Sequence, residues 1–155
     1  MKYIWYYEMP IGTIAIAEED AEITHILFDG DMSLDDYEKK VTKTIQTTAG
    51  QLKAYFAGEL KVFDVPLALN GTPFQKQVWQ ALMEIPYGQT CSYKDIAIKI
   101  GNPKAVRAVG MANNKNKIPI IIPCHRVIGA SGKLVGYAGG LSVKQQLLDL
   151  EERNV

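Results

Sequence analysis

The hydrophobic period of this chain changes partway along, and that change restricts its possible folds more than any other feature. Over the first 30 residues apolar and polar side chains alternate in short runs, Tyr3 to Tyr7, Thr13 to Ala17 and Ile23 to Phe28, with turn signals at Pro10-Ile11-Gly12 and Asp29-Gly30. A period of two buries one face of each run, so these segments are expected to form antiparallel strands. From Ser33 the apolar residues Leu34, Tyr37, Val41 and Ile45 fall at three- and four-residue steps, which predicts a helix. A second helical piece is expected from about Thr48 to Ala57, stopped by Gly58. A short strand near Val62 to Val65 and the Pro66 to Gly71 stretch then mark a boundary. The expected class is α/β (α+β), with an N-terminal strand-and-helix lobe over 1–68 and a second lobe over 69–155.

The second lobe opens with Thr72-Pro73, an N-cap with proline at the first helical position. Phe74, Val78, Ala81 and Leu82 make that helix's buried stripe, and Pro86-Tyr87-Gly88 closes it. Ser92 and Asp95 have capping-box spacing, with Ile96, Ala97 and Ile100 as the apolar face behind them. Gly101-Asn102-Pro103 ends that helix and opens another, expected from Pro103 to about Asn113, so the pair reads as a helix-turn-helix. Ala105, Val106, Val109 and Ala112 can pack inward, while Lys104, Arg107, Ala108 and Met111 fall on another face. Small residues at Ala108 and Gly110 would let the helix backbone approach a groove, and Arg107 projects from it. An ordinary helical hairpin with a solvated arginine has the same pattern. Ser142 and Gln145 suggest a capping box on a last helix with Leu147, Leu148 and Leu150 as its core. Glu151 shares their stripe. A carboxylate there either finds a buried partner or rotates to solvent, as most glutamates do.

A chain of 155 residues, 47% hydrophobic, can bury one core or two small ones. The N-terminal stretch lacks the pattern of a signal-peptide core, and no run is long enough to span a membrane. Net charge is zero, but residues 1–70 hold six Lys and Arg against twelve Asp and Glu, whereas residues 71–133 hold nine against two. Clustered cations of this kind suit a surface that meets phosphates. The two cysteines, Cys91 and Cys124, form no disulfide framework, and a free reactive thiol keeps best in a reducing cytoplasm. With two histidines besides, and no paired spacing among them, no structural zinc site is expected. Cys91 reads as a core residue.

The segment Ile121-Ile122-Pro123-Cys124-His125-Arg126-Val127-Ile128 carries the chemistry. Residues 118–122 look like a buried extended segment that stops at Pro123 and delivers Cys124 at its end. A thiol reacts as the thiolate, with an unperturbed pKa of about 8.5, and a neighbour such as Arg126 or His125 can raise the thiolate fraction. Gly136-Tyr137-Ala138-Gly139-Gly140 adds a loop that allows close approach of a ligand.

Taken with Thr72-Pro73-Phe74-Gln75, Val78-Trp79, Ile85-Pro86-Tyr87-Gly88, Ser92-Tyr93, Arg107-Ala108-Val109-Gly110 and Leu147-Leu148 with Glu151, this segment resembles the O6-alkylguanine-DNA alkyltransferase family, in unbroken order over about residues 72–151. The resemblance implies a winged helix-turn-helix-like C-terminal DNA-binding and active-site domain. It implies direct reversal of DNA damage, in which an alkyl group moves irreversibly from O6-alkylguanine, and also from O4-alkylthymine, to the protein's own cysteine. The protein would act once, as a cytoplasmic monomer without a cofactor. Cys124 would be the acceptor, His125 would take its proton through a water, and Glu151 would orient His125. Tyr93 would donate to the departing base, and Asn116 would fix the turn bearing Cys124. Arg107 would enter the minor groove of double-stranded DNA and fill the space of the extruded nucleotide, with Ser92, Tyr93, Lys94, Asn102, Lys104, Ala108 and Gly110 beside it on the DNA. Val127, Val135, Tyr137 and Ala138 would line the pocket.

Asn116-Lys117 departs from the family's usual Asn-Pro, and Val135 and Ala138 differ from the residues common there, which bears on hinge rigidity and on the alkyl groups accepted. Other readings of the same residues are a damage-binding module without transfer, a transcriptional regulator, and a thiol hydrolase. The presence of Cys124 opposes the first, and no activator or metal module supports the second. Adjacent Cys and His on an extended segment would point apart, which opposes the third.

Overall fold

The structure is a computed structural model and describes every residue except Gly30, Asp31, Ser33, Ala130, Ser131, Lys133, Leu134, Val135 and Ala138. It divides into two compact units, Met1–Leu69 and Asn70–Val155.

In the first unit, strands β1 (Lys2–Met9), β2 (Gly12–Glu19) and β3 (Glu22–Leu27) form the antiparallel meander expected from their alternation. A short strand β4 (Glu38–Lys39) joins the edge of β1 in parallel, giving the order β3-β2-β1-β4. β4 replaces the helix expected from Ser33. Leu34 and Tyr37 pack with Ile4, Ala15 and Ala17 on one face of the sheet, and the Lys40 amide donates to the Ile4 carbonyl. A turn closed by the Tyr37 amide on the Leu34 carbonyl, followed by a short strand on the sheet's edge, satisfies the same apolar spacing.

One helix, α1 (Lys43–Phe56), stands where two pieces were expected. Thr42 caps it, and Ile45, Thr48, Ala49, Leu52 and Tyr55 form its buried stripe. The Thr47-Thr48 pair does not break it, because the Thr48 hydroxyl donates back to the Thr44 carbonyl. Residues 62–65 form no strand. The Gln51 side chain instead bonds both the amide and the carbonyl of Asp64, and Ile23 bonds to Pro66 and Ala68 three residues further on than expected.

The second unit is helical. α2 (Pro73–Met83) has the expected Thr72 capping box with Gln75, and Val78, Trp79, Ala81 and Leu82 are buried. α3 (Tyr93–Lys99) has the Ser92–Asp95 box. α4 (Val106–Asn114) begins three residues later than expected, because Asn102 to Ala105 close a turn through the Ala105 amide. α4 packs on both α2 and α3, and the buried Trp79 indole donates to the Ala112 carbonyl at 2.9 Å. Two-residue strands β5 (Cys91–Ser92) and β6 (Val127–Ile128) pair in parallel. α5 (Leu141–Arg153) has Gly140 at its N-cap and no side-chain cap, so the expected Ser142–Gln145 box is absent. Gly140, at φ +90, turns the chain where a capping side chain would otherwise stand. Among the described residues no helix is long and apolar enough to cross a membrane.

Candidate active site

Residues 118–122 are buried as expected but are not extended. The Ile122 amide donates to the Ile118 carbonyl, and Ile120 takes φ +74, a conformation that costs a β-branched residue on the order of 1–3 kcal/mol. Asn116 over-determines this turn. Its Nδ2 donates to the Ile122 carbonyl at 2.8 Å and its Oδ1 accepts from the Ile118 amide at 2.9 Å. An uninterrupted apolar run fits a buried strand or a buried turn equally well, and here a side-chain amide supplies the partners a strand neighbour would. The turn delivers Cys124 into a single 3₁₀ turn, Cys124–Arg126, where all three side chains are buried.

Glu151, only 1% exposed on α5, is the hub beneath that turn. Its Oε2 lies 2.6 Å from His125 Nε2 and 3.1 Å from Arg126 Nη2. Its Oε1 accepts from Arg126 Nε at 2.8 Å and from the Gly88 amide at 3.0 Å. The inward reading of Glu151 therefore holds. An ionised carboxylate only accepts, so it fixes the neutral tautomer of His125 with the proton on Nε2. Nδ1 is left as a buried lone pair with no partner among the described residues. The Tyr137 ring meets the His125 ring edge-on, with centroids 6.5 Å apart.

Arg126 does not activate Cys124, as its sequence position suggested. Its guanidinium turns to Glu151 and to the Ile85 carbonyl. The cation that acts on the thiol is Lys144, fully buried on α5, whose Nζ donates to the Val127 carbonyl at 2.7 Å. Sequence reasoning missed it. Lys144 precedes Leu147 by three residues and Glu151 by seven, so the stripe that marked Glu151 marks Lys144 too.

Burial pushes the Cys124 thiol up to about 11, opposed by a hydrogen bond from Asn116 and by the Lys144 charge. Burial also lowers the His125 imidazole, opposed by Glu151 and reinforced by the charges of Arg126 and Lys144. Tyr93 is raised by burial and then by the charge of Cys124, which places its phenol within electrostatic range of the sulfur. Cys91 is partly exposed, not a core residue, and burial raises it to about 11.

The remaining expected residues separate into three groups. Lys94, Asn102, Lys104, Arg107 and Ala108 are exposed on α3, α4 and the turn between them. Ser92 is occupied as the cap of α3, and Gly110 faces inward, where an added Cβ would lie 3.8 Å from the Tyr93 ring. A side chain at Gly110 would make ordinary contact with Tyr93. Val127 is fully buried between Cys91 and Lys144, with its carbonyl taken, while Val135 and Ala138 lie outside the described residues. Lys117, where the usual proline is replaced, ties its ammonium to the Asn70 carbonyl at 3.1 Å. Among the described residues no group of His, Cys, Asp or Glu side chains could hold a metal ion.

Comparison with known proteins agrees with this arrangement over both units. Residues 73–153 match the DNA-binding domain of 6-O-methylguanine DNA methyltransferase, and residues 2–69 match its ribonuclease-like domain. A methylated-DNA–protein-cysteine methyltransferase of Methanosarcina barkeri is 54% identical over 96% of each chain. The constitutive enzyme of that name from Bacillus subtilis is 48% identical, over 97% of this chain and 96% of its own. A crystal structure of Mycobacterium tuberculosis OGT in complex with DNA superposes with a TM-score of 0.93 at 47% identity, over 99% of this chain and 94% of that one. The chain belongs to the 6-O-methylguanine DNA methyltransferase family.

Proposed function

We propose that this chain repairs alkylated DNA by moving the alkyl group from guanine O6 onto Cys124. The observation that carries the reading is a buried free thiol next in the chain to a buried histidine whose Nδ1 has no partner among the described residues. In the reaction the Cys124 proton passes to His125 Nδ1 through a water, and the sulfur attacks the alkyl carbon as the O6–carbon bond breaks. The departing base keeps the bonding electrons on O6, and Tyr93 donates a hydrogen bond to it. Glu151 holds His125 in the receptive tautomer, and Arg126 holds that carboxylate in place. The product is a thioether, which no group here hydrolyses, so each chain acts once.

DNA is the partner that the exposed cations Lys94, Lys104 and Arg107 suit. O6 cannot be reached for in-line attack inside a stacked duplex, so the nucleotide is extruded, with α4 in the minor groove and Arg107 in the vacated space. The chain works as a monomer, since one chain carries the whole constellation.

Excess duplex DNA bearing a radiolabelled O6-methyl group, followed by proteolysis, tests this. One label per chain on the Cys124 peptide, with no further turnover, is the expected result. Lesion binding without label would make the protein a damage-recognition module.

A further inference from the structure

One exposed side chain on α4 has no role in the proposed transfer. Met111 is 63% exposed, more than any other large apolar side chain among the described residues of the second unit except the terminal Val155. A single apolar residue at a surface is ordinary, so what surrounds it decides whether it has a use.

Arg107 lies four residues before Met111 and Lys115 four after it, so the three form one stripe running to the C-cap of α4, with the methionine between two cations. All three are exposed. On α3, which packs on α4, the exposed Lys94 and Ile98 repeat the same spacing of cation and apolar residue. From Ile96 to Leu148 the sequence holds no Asp or Glu, so no carboxylate of α4 or of the chain around it repels a polyanion. Cations flanking an apolar chain suit a groove walled by phosphates and floored by base edges.

We infer that Met111 is a wedge that enters the minor groove and parts a base step close to the extruded nucleotide, the inference resting on the transfer proposed above. Side chains one helical turn apart stand about 5–6 Å apart, and bases stack at about 3.4 Å, so with Arg107 in the vacated space Met111 falls within about two steps of it. The minor groove is about 6 Å wide, which admits an unbranched thioether chain that adapts to the gap it meets. Apolar wedges of this kind unstack the step they enter and bend the duplex. Opening a neighbouring step lowers the cost of extruding the damaged nucleotide. The wedge therefore speeds capture from duplex DNA and takes no part in the chemistry at the sulfur.

The test compares single-turnover transfer from an O6-methylguanine duplex with reaction of the free O6-alkylated base, for the wild-type chain, Met111→Ala and Met111→Leu. Position 111 is exposed, so both variants are expected to fold as the wild type does. Met111→Ala is expected to lower the ratio of duplex rate to base rate about 10-fold, through the lost burial of one apolar side chain, and Met111→Leu to restore most of it. A 2-aminopurine set beside the lesion and followed by stopped flow is expected to brighten with the wild type and Met111→Leu and to stay dim with Met111→Ala. An unchanged ratio in Met111→Ala overturns the inference, as does a loss shared equally by duplex and base, or a 2-aminopurine signal that Met111→Ala keeps. Weaker self-association of Met111→Ala with the ratio intact would also overturn it, by assigning the methionine to contacts between copies of the chain. No transfer by the wild type from either substrate would instead remove the proposed function itself.

Discussion

Arg126 and Glu151 pair through two parallel contacts, Nε to Oε1 at 2.8 Å and Nη2 to Oε2 at 3.1 Å, with the carboxylate almost wholly buried. The same carboxylate holds His125, so the ion pair and the tautomer of the base share one group. Glu151→Gln keeps the shape but lets the amide donate toward His125, and transfer is expected to slow by at least about 100-fold. Glu151→Ala leaves a buried guanidinium unpaired and is expected to cost about 3–5 kcal/mol of stability in urea unfolding. Adding Arg126→Met should restore much of that stability and none of the rate. Equal loss of both in Glu151→Gln would show that Glu151 is purely structural.

With its pKa pushed up to about 11, the Cys124 thiol stays protonated at neutral pH in the free protein. Its reaction with iodoacetamide is expected to be slower at pH 7 than that of a thiol in the denatured chain, and to climb with pH toward 11. The stability linkage has the same origin. The unfolded thiol ionises first, so the contribution of the protonated thiol is complete below about pH 8.5 and declines as pH rises through about 11. Stability measured from pH 7 to 10 should therefore fall, and a flat profile would contradict the burial argument.

Lys144→Met removes the donor to the Val127 carbonyl and the cation acting on Cys124. The thiol pKa is expected to move still higher and the transfer rate at pH 7 to drop, with a stability loss of about 1–3 kcal/mol from the orphaned carbonyl. An unchanged thiol titration would limit Lys144 to packing.

Trp79→Phe deletes one buried hydrogen bond between α2 and α4, while the Ala112 carbonyl keeps the Lys115 amide as a donor. A loss of about 0.5–1.5 kcal/mol in chemical unfolding is expected.

Arg107 is exposed, so Arg107→Ala should alter stability by less than about 0.5 kcal/mol. On the proposed reading it slows transfer from duplex DNA while leaving reaction with the free O6-alkylated base intact, and it lowers the salt slope of duplex binding by about one. Equal slowing on base and duplex would exclude a role in extrusion.

Local signals determined much of this protein by themselves. The alternation of the first 30 residues, the caps at Thr72 and Ser92 and the apolar stripes of α2 and α3 all act within a few residues of chain, and each formed where its pattern lay. The cysteine that follows Pro123 and precedes a histidine marked the candidate site for the same reason, since those residues are adjacent in sequence. Elements that needed a distant partner were decided elsewhere. Residues 38–39 are extended because β1 offers an edge, and 118–122 turn because Asn116 satisfies their backbone. Arg126 faces Glu151 and not Cys124 because a buried guanidinium takes the strongest acceptor within reach, and that acceptor lies 25 residues away. Lys144 and Gly110 acquire their surroundings only when helices pack, because burial and charge act through space, and spacing along one helix names a shared face without saying what the face meets.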